Sequence, residues 1–240
     1  AKTFSPGVSG MDMAGALDFS WKNDRFDFGA TYLDIGKRFN AEMGFVPRRD
    51  IRNARASAAW TPRPGWRGVR QLTIGGGIDY YENHSGFMES RNQSGRFQIE
   101  FQDSSTLDVG GGYDYDFVPF DWDIGGGIVP TGAYRWETFR ASYQSNRAKP
   151  VSGGGSLERG GYYGGRKQSY GFNLSLAPAG TLLIDANYTR NQITLPEYPS
   201  FATNTINTRV SYSFTPDLYV KTFLQYNDGS RLANFNFLLW

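Results

Sequence analysis

Few residues of this sequence could perform catalysis. His84 is its one histidine, in the segment YENHSGFMES, where Ser85 follows it directly. A nucleophile and its base must converge in space, and the base needs an orienting group, so two neighbours in sequence do not make a catalytic pair. We therefore interpret His84 as an exposed loop residue, and the sequence predicts no enzyme activity.

Acidic residues are the second candidate. Asp114, Asp116, Asp121 and Asp123 lie within YDYDFVPFDWD and carry the oxygen ligands that Ca²⁺ prefers. The spacing and the glycine of an EF-hand loop are lacking, which favours ordinary lumen-facing and loop carboxylates. Acid pairs could hydrolyse glycosides only at carboxyl separations of about 5 to 10 Å, which a sequence does not give. We predict no metal site and no cofactor.

Glycine triplets begin at Gly75, Gly110, Gly125 and Gly153. None has the Gly-Lys-Ser/Thr ending of a phosphate loop or opens a helix. The triplet in LDVGGGYDYDF instead interrupts a strand-like alternation, which predicts strong curvature or the close approach of an inserted loop or plug. Basic residues are scattered rather than clustered with aromatics, so no nucleic-acid partner is predicted.

Composition narrows the class of protein. The 240 residues carry a net charge of +2, are 39% hydrophobic and 16% aromatic, and include 30 glycines and no cysteine. These values exclude a disordered chain, a disulfide scaffold and thiol chemistry. The sequence contains no stretch of 18 consecutive apolar residues, so it predicts no transmembrane helix. A membrane-spanning strand needs only about 9 to 11 residues of alternating polarity, so a transmembrane barrel is still allowed.

Apolar and polar residues alternate along most of the chain. Met13, Leu17, Phe19 and Trp21 share one side of the first clear run, and later runs behave alike. We count about 13 strand candidates and no sustained helical periodicity. Only Ser152 to Gly165 is too glycine-rich to phase. Tight and long links largely alternate between the strands, which is typical of a transmembrane barrel.

The two faces of these strands differ in chemistry. The polar face is mostly Gly, Ala, Ser, Asn, Gln and Asp, unlike the water-facing side of a β-sandwich. We predict that it is lumen-lining and carries the following charges: Asp12, Asp18, Asp27, Arg55, Asp79, Arg96, Glu100, Asp108, Asp114, Asp116, Arg140, Asp185, Arg209 and Lys221. Aromatics near strand ends on the apolar face are predicted to lie at the membrane interfaces. They are Trp21, Tyr32, Trp60, Tyr80, Phe117, Tyr188, Phe214 and Tyr226.

Five short motifs occur in a characteristic order. They are MGFVPRRDIRN from Met43, WTPRPG from Trp60, GGYYGG from Gly160, NQITLPE from Asn191 and YSFTPDLYVKTFLQYNDGS from Tyr212. In this order the chain resembles a bacterial outer-membrane family in which a family-9 carbohydrate-binding module precedes a large C-terminal β-barrel domain of unknown function. The resemblance implies a larger parent protein whose carbohydrate-binding module is absent here, and it implies no established activity.

Together these patterns predict an all-β, antiparallel up-and-down transmembrane β-barrel in the bacterial outer membrane. Residues 1–240 are expected to be one barrel domain, incomplete at one or both ends. Bacterial barrels have even strand counts, and Trp240 is out of phase with Phe235, Phe237 and Leu239.

Three functional hypotheses follow. The first is porin-like passage or handling of small hydrophilic solutes, with carbohydrate-derived ones suggested by the family's module. The second is a non-conducting membrane anchor or assembly subunit of a cell-surface complex, and the third, which we disfavour, is a membrane-embedded hydrolase. The expected partners are the lipid bilayer and other envelope proteins, with any glycan bound through the absent module.

Overall fold

The computed structural model describes residues 2–3, 12–40 and 48–240. All regular secondary structure within these residues is β-strand. The described residues include no helix long and apolar enough to cross a membrane. The strands are β1 (Lys2–Thr3), β2 (Asp12–Lys22), β3 (Phe26–Ile35), β4 (Ile51–Trp60), β5 (Val69–Glu82), β6 (Met88–Phe101), β7 (Thr106–Val118), β8 (Trp122–Asp123), β9 (Ile128–Val129), β10 (Gly132–Gln144), β11 (Val151–Tyr162), β12 (Gly165–Ala179), β13 (Leu182–Thr194), β14 (Phe201–Thr215), β15 (Leu218–Asn227) and β16 (Leu232–Leu239).

One sheet contains all of these strands except β8 and β9. Each strand pairs with its neighbours in chain order, and every pairing is antiparallel, so the sheet is an up-and-down meander. The strands of 8 to 15 residues confirm the prediction of about 13 strands. Among the described residues no ladder joins β16 to β1 or β2, so the sheet has two edges. The hairpin of β8 and β9 lies within the connection from β7 to β10.

Short and long connections lie at opposite ends of the sheet. Residues 23–25, 61–68, 102–105 and 180–181 connect strands at one end, which we name the turn end. Residues 36–50, 83–87, 119–131 and 195–200 connect strands at the other, which we name the loop end. The predicted alternation is therefore largely confirmed. The clearest departures are residues 61–68, a long link at the turn end, and Tyr163 and Gly164, which alone join β11 to β12 at the loop end.

The glycine triplets at Gly75 and Gly110 lie where neighbouring backbones come unusually close. A Cβ added at Gly76, Gly110 or Gly111 would stand 2.7, 2.7 or 2.8 Å from a backbone oxygen of the adjacent strand. At Gly110, Gly111 and Gly112 the nearest atoms belong to the neighbouring strands and not to an inserted loop. Close approach of another backbone is a usual reason for glycine within a strand, and the predicted curvature stays a prediction.

The register assigns each strand residue to one of two faces, because directly paired residues in antiparallel strands point to the same side. The apolar face is widely exposed: Leu17 is 74%, Phe172 59% and Phe237 60% exposed. The apolar residues buried within the described parts of the chain are only seven: Phe39, Ile51, Leu72, Tyr115, Val118, Val129 and Leu195. The apolar face is thus not covered by a second layer of the described chain.

A small apolar cluster closes part of the loop end. Val118, Val129 and Leu195 are buried together, with Tyr134 and Tyr163 packed against them. The hairpin of β8 and β9 therefore packs against the connection between β13 and β14. Side chains from three separate loop-end connections meet here.

Candidate functional site

The polar face carries every residue that the sequence predicted to line a lumen. The register places these residues on the side opposite to Leu17 and Phe172 in each strand. Their role as lumen lining stays a prediction.

Most charges on the polar face are neutralised by a partner on the neighbouring strand. Lys22 Nζ lies 2.9 Å from Asp27, and an Arg55 guanidinium nitrogen lies 2.6 Å from Asp79. Two further pairs have the same arrangement, since Arg96 binds Asp108 and Arg209 binds Asp185. Three of these pairs are directly opposite in the register, whereas Arg96 and Asp108 are diagonal neighbours, because Arg96 lies opposite Gly110. The charges are therefore held along the wall of the sheet rather than left free.

Glu158 connects two cations, and the sequence reasoning missed it. Its carboxylate accepts hydrogen bonds from Arg140 Nε at 2.8 Å and Lys167 Nζ at 3.2 Å. The residue lies in β11, inside the glycine-rich segment that could not be phased. The pairing of β11 with β10 and β12 supplies the phase that its own sequence lacks.

The remaining predicted residues have separate partners. The acids accept hydrogen bonds from five different groups, and Lys221 lies over an aromatic ring. The contacts are Asp12 with the backbone N–H of Arg38 (2.6 Å), Asp18 with Thr31 (2.9 Å), Glu100 with Arg70 (3.0 Å), Asp114 with Asn92 (2.5 Å), Asp116 with Tyr163 (2.7 Å), and Lys221 with the ring of Tyr219 (4.8 Å).

Carboxamides outnumber charges on the polar face from β12 to β16. Asn173, Asn187, Asn207, Gln225 and Asn234 are directly opposite one another on five consecutive strands. We name these five residues the carboxamide row. They line an open cleft of about 470 Å³ together with Phe223, Asp185 and Arg209. No sequence pattern within one strand reveals this row, because it exists only across strands.

His84 is not the exposed loop residue that the sequence predicted. Its side chain is 30% exposed, with Nδ1 2.9 Å from Asp50 Oδ1 and Nε2 2.8 Å from Asp34 Oδ1. Burial by itself lowers the pKa of His84, but the hydrogen bonds to Asp34 and Asp50 outweigh it and the net pKa is raised. Ser85 donates its hydroxyl to Asn83 at 2.5 Å and does not pair with the imidazole. The cluster therefore joins the β5–β6 connection to β3 and to the start of β4.

The four acids considered for calcium do not converge. Asp121 accepts the backbone N–H of Thr131 at 2.8 Å, and Asp123 accepts that of Gly125 at 2.7 Å. Across residues 12–40 and 48–240, no group of three or more His, Asp or Glu side chains is placed to hold a metal ion. Asp116 instead binds Tyr163, whose pKa is raised by burial and then by that carboxylate.

The predicted interfacial aromatics all lie on the apolar face, and seven of the eight lie near a strand end. Trp21, Trp60 and Phe214 belong to the turn end, and Tyr32, Tyr80, Phe117 and Tyr226 to the loop end. Tyr188 instead lies at the middle of β13.

Beyond Tyr32 and Tyr80 the apolar face becomes ionic. Arg52 lies 3.6 Å from Asp34 and 3.7 Å from Glu82, on the same side of the sheet as these tyrosines. The apolar surface is thus a band with a defined edge.

No family model matches the chain, and no curated protein matches it. One similar solved structure is OmpT (in-vitro folded), an outer membrane protein of Vibrio cholerae, at 9% identity with a TM-score of 0.44 over 95% of each chain. A likeness at this level says nothing about activity.

Proposed function

We propose that this chain forms part of the wall of a bacterial outer-membrane β-barrel that passes small hydrophilic solutes. The observation that carries the proposal is the division of one sheet into an exposed apolar band and a polar face of paired charges and carboxamides. Lipid accounts for the first face, and a hydrated passage accounts for the second.

The apolar band supports a membrane location. A soluble monomer rarely exposes an apolar patch larger than a few hundred Å², yet Leu17, Phe172 and Phe237 are each more than half exposed. The long strands other than β16 have 10 to 15 residues and are long enough to span a bilayer, for which about 9 to 11 are needed. Aromatic rows at both ends of the strands fit the two membrane interfaces.

The polar face supports passage of neutral hydrophilic solutes. Its arginines are paired with carboxylates on neighbouring strands, so little unbalanced charge is presented to a solute. The same proposal includes carbohydrate-derived solutes and a parent protein with a family-9 carbohydrate-binding module. Both are supported by the order of the five sequence motifs. The first five residues of the first motif, Met43 to Pro47, lie outside the described residues.

We also propose that the chain has no catalytic role. Both ring nitrogens of His84 are engaged by carboxylates, and the hydroxyl of Ser85 points to Asn83. A histidine in this arrangement is better suited to holding strands together than to accepting a proton from a nucleophile.

A non-conducting anchor is the second candidate. The buried cluster of Val118, Val129 and Leu195 brings a hairpin and two loop-end connections together. A mouth narrowed in this way would restrict conduction while leaving the membrane anchorage intact.

Two measurements on the full-length protein test these functions. The 240 residues contain no cysteine. Ile206→Cys and Asn207→Cys therefore each introduce one thiol, on adjacent residues that point to opposite faces of the sheet. In vesicles, a water-soluble maleimide should label the Asn207→Cys variant and spare the Ile206→Cys variant. Equal labelling would contradict the membrane assignment.

Planar-bilayer recording then separates the passage from the anchor. The proposed pore should give stepwise conductance in potassium chloride. If no conductance is measured at any salt concentration while the labelling pattern is retained, the non-conducting anchor is the function that remains.

A further inference from the structure

The carboxamide row is continuous across five strands and faces open space. Neighbouring strands are about 4.8 Å apart, so successive carboxamides recur at about that interval. The row lines the cleft of about 470 Å³ on the polar face. A ligand lying across the strands would meet one carboxamide after another.

The carboxamides of this row have unused hydrogen-bonding capacity. Each can donate two hydrogen bonds and accept others. Among the described residues, their side chains make no hydrogen bond, whereas other amides of the polar face do. Asn92 donates to Asp114 at 2.5 Å, and Asn191 accepts from Ser169 at 2.7 Å. The row is therefore distinguished from the structural amides beside it.

Phe223 is an apolar residue on the polar face. Its register partners are Arg209 and Asn236, and it is 42% exposed while lining the same cleft. An aromatic ring beside a few convergent polar groups is typical of a small-molecule site. The ring offers apolar surface to C–H groups, and the carboxamides offer partners to hydroxyl groups.

Charge in the cleft is largely internal. Arg209 Nε donates to Asp185 at 3.0 Å, so these two residues neutralise each other. Arg147 also lines the cleft and adds one cation. A neutral ligand is favoured by the row itself, and an anionic one is the competing outcome because of Arg147.

We propose that the carboxamide row and Phe223 form a binding site for a neutral, multiply hydroxylated solute, namely a linear oligosaccharide. Hydroxyl groups pair with the carboxamides, and the C–H face of a sugar ring lies on Phe223. The inference deepens the proposed function and rests on it, because the solute must reach the polar face.

Calorimetric titration of the full-length protein in detergent micelles tests the site. The probes are maltohexaose and cellohexaose as neutral oligosaccharides and a galacturonic acid hexamer as the anionic comparator. At least one neutral hexamer should bind more tightly than the anionic one. Asn187→Ala and Asn207→Ala should each weaken binding by about 3- to 10-fold, as expected for one lost hydrogen bond. Phe223→Ala should weaken it at least as much, and Phe223→Tyr should retain it.

Gln98→Ala is the matched control, because Gln98 is a carboxamide of the same face outside the cleft. It should leave the affinity unchanged, and each variant should keep the gel mobility shift on heating of a folded barrel. Absence of binding to both neutral hexamers, stronger binding of the anionic hexamer, or equal loss in Gln98→Ala would overturn the proposal. If planar-bilayer recording shows no conductance while the hexamer still binds, the pore is rejected and the binding site is retained.

Discussion

The polar face is built differently in its first and second halves. From β2 to β11 it is a series of ion pairs, including Arg55 with Asp79 and Arg96 with Asp108. From β12 to β16 carboxamides dominate, and among the described residues Arg209 with Asp185 is the ion pair formed within these strands, while Lys167 of β12 pairs back to Glu158 of β11. The first half satisfies its own polar groups, whereas the second leaves hydrogen-bonding capacity for another molecule. One sheet can thus combine a region whose polar side chains bind one another with a region whose polar side chains are available to a ligand.

The largest expected effect tests whether the two halves share the same apolar surroundings. Ala56 and Ala186 lie on the apolar face, one in each half, near the middle of β4 and in β13. Ala56→Arg and Ala186→Arg should each destabilise the protein in vesicles by about 2 to 4 kcal/mol, because arginine is costly near the bilayer midplane. Urea unfolding followed by tryptophan fluorescence measures this.

Asn187→Arg is the control on the opposite face, and it should change stability far less. A large difference between the two alanine variants would mean that only one half of the sheet meets lipid.

A smaller effect distinguishes the two polar regions themselves. Glu158→Gln leaves Arg140 and Lys167 without a shared carboxylate, and it should cost about 1 kcal/mol because the cluster is partly solvated. Asn207→Ala removes a carboxamide that has no partner in the described residues, and it should cost less than about 0.5 kcal/mol. Equal losses of stability in the same unfolding assay would remove the distinction between the halves.

The smallest effect is a pH dependence confined to the first half. The raised pKa of His84 means that its contribution is complete below the ordinary value of 6.5 and is lost as the pH rises through the folded-state value. Between pH 6 and pH 8.5, hydrogen exchange of residues 83–87 should therefore accelerate beyond its intrinsic dependence on pH. His84→Asn should abolish this excess. An excess that persists in the variant would assign the effect to other groups.

Sequence patterns predicted the strands and both faces, because alternation with period two is a property of each strand alone. Every predicted lumen-lining charge and every predicted interfacial aromatic lies on the expected side of the sheet. Partners could not be predicted, since they depend on register between strands. Glu158 was missed because the glycines of β11 leave too few side chains to assign its residues to the two faces. The carboxamide row was missed because its members lie on five different strands, far apart in sequence.

His84 illustrates the same limit within a loop. Its two carboxylate partners, Asp34 and Asp50, are 50 and 34 residues away in sequence. Only the pairing of β3, β4 and β5 brings them together. A lone histidine in a polar loop was the reasonable expectation, and tertiary structure overrode it.

The close backbone contacts at Gly76, Gly110 and Gly111 have a consequence for genetic screens. A Cβ at any of them would meet a carbonyl oxygen of the next strand at 2.7 to 2.8 Å, so every other amino acid requires the wall to shift. Saturation mutagenesis should find these positions intolerant under any selection that requires the folded barrel. Intolerance there would reflect the close approach of neighbouring strands and would not indicate a ligand site.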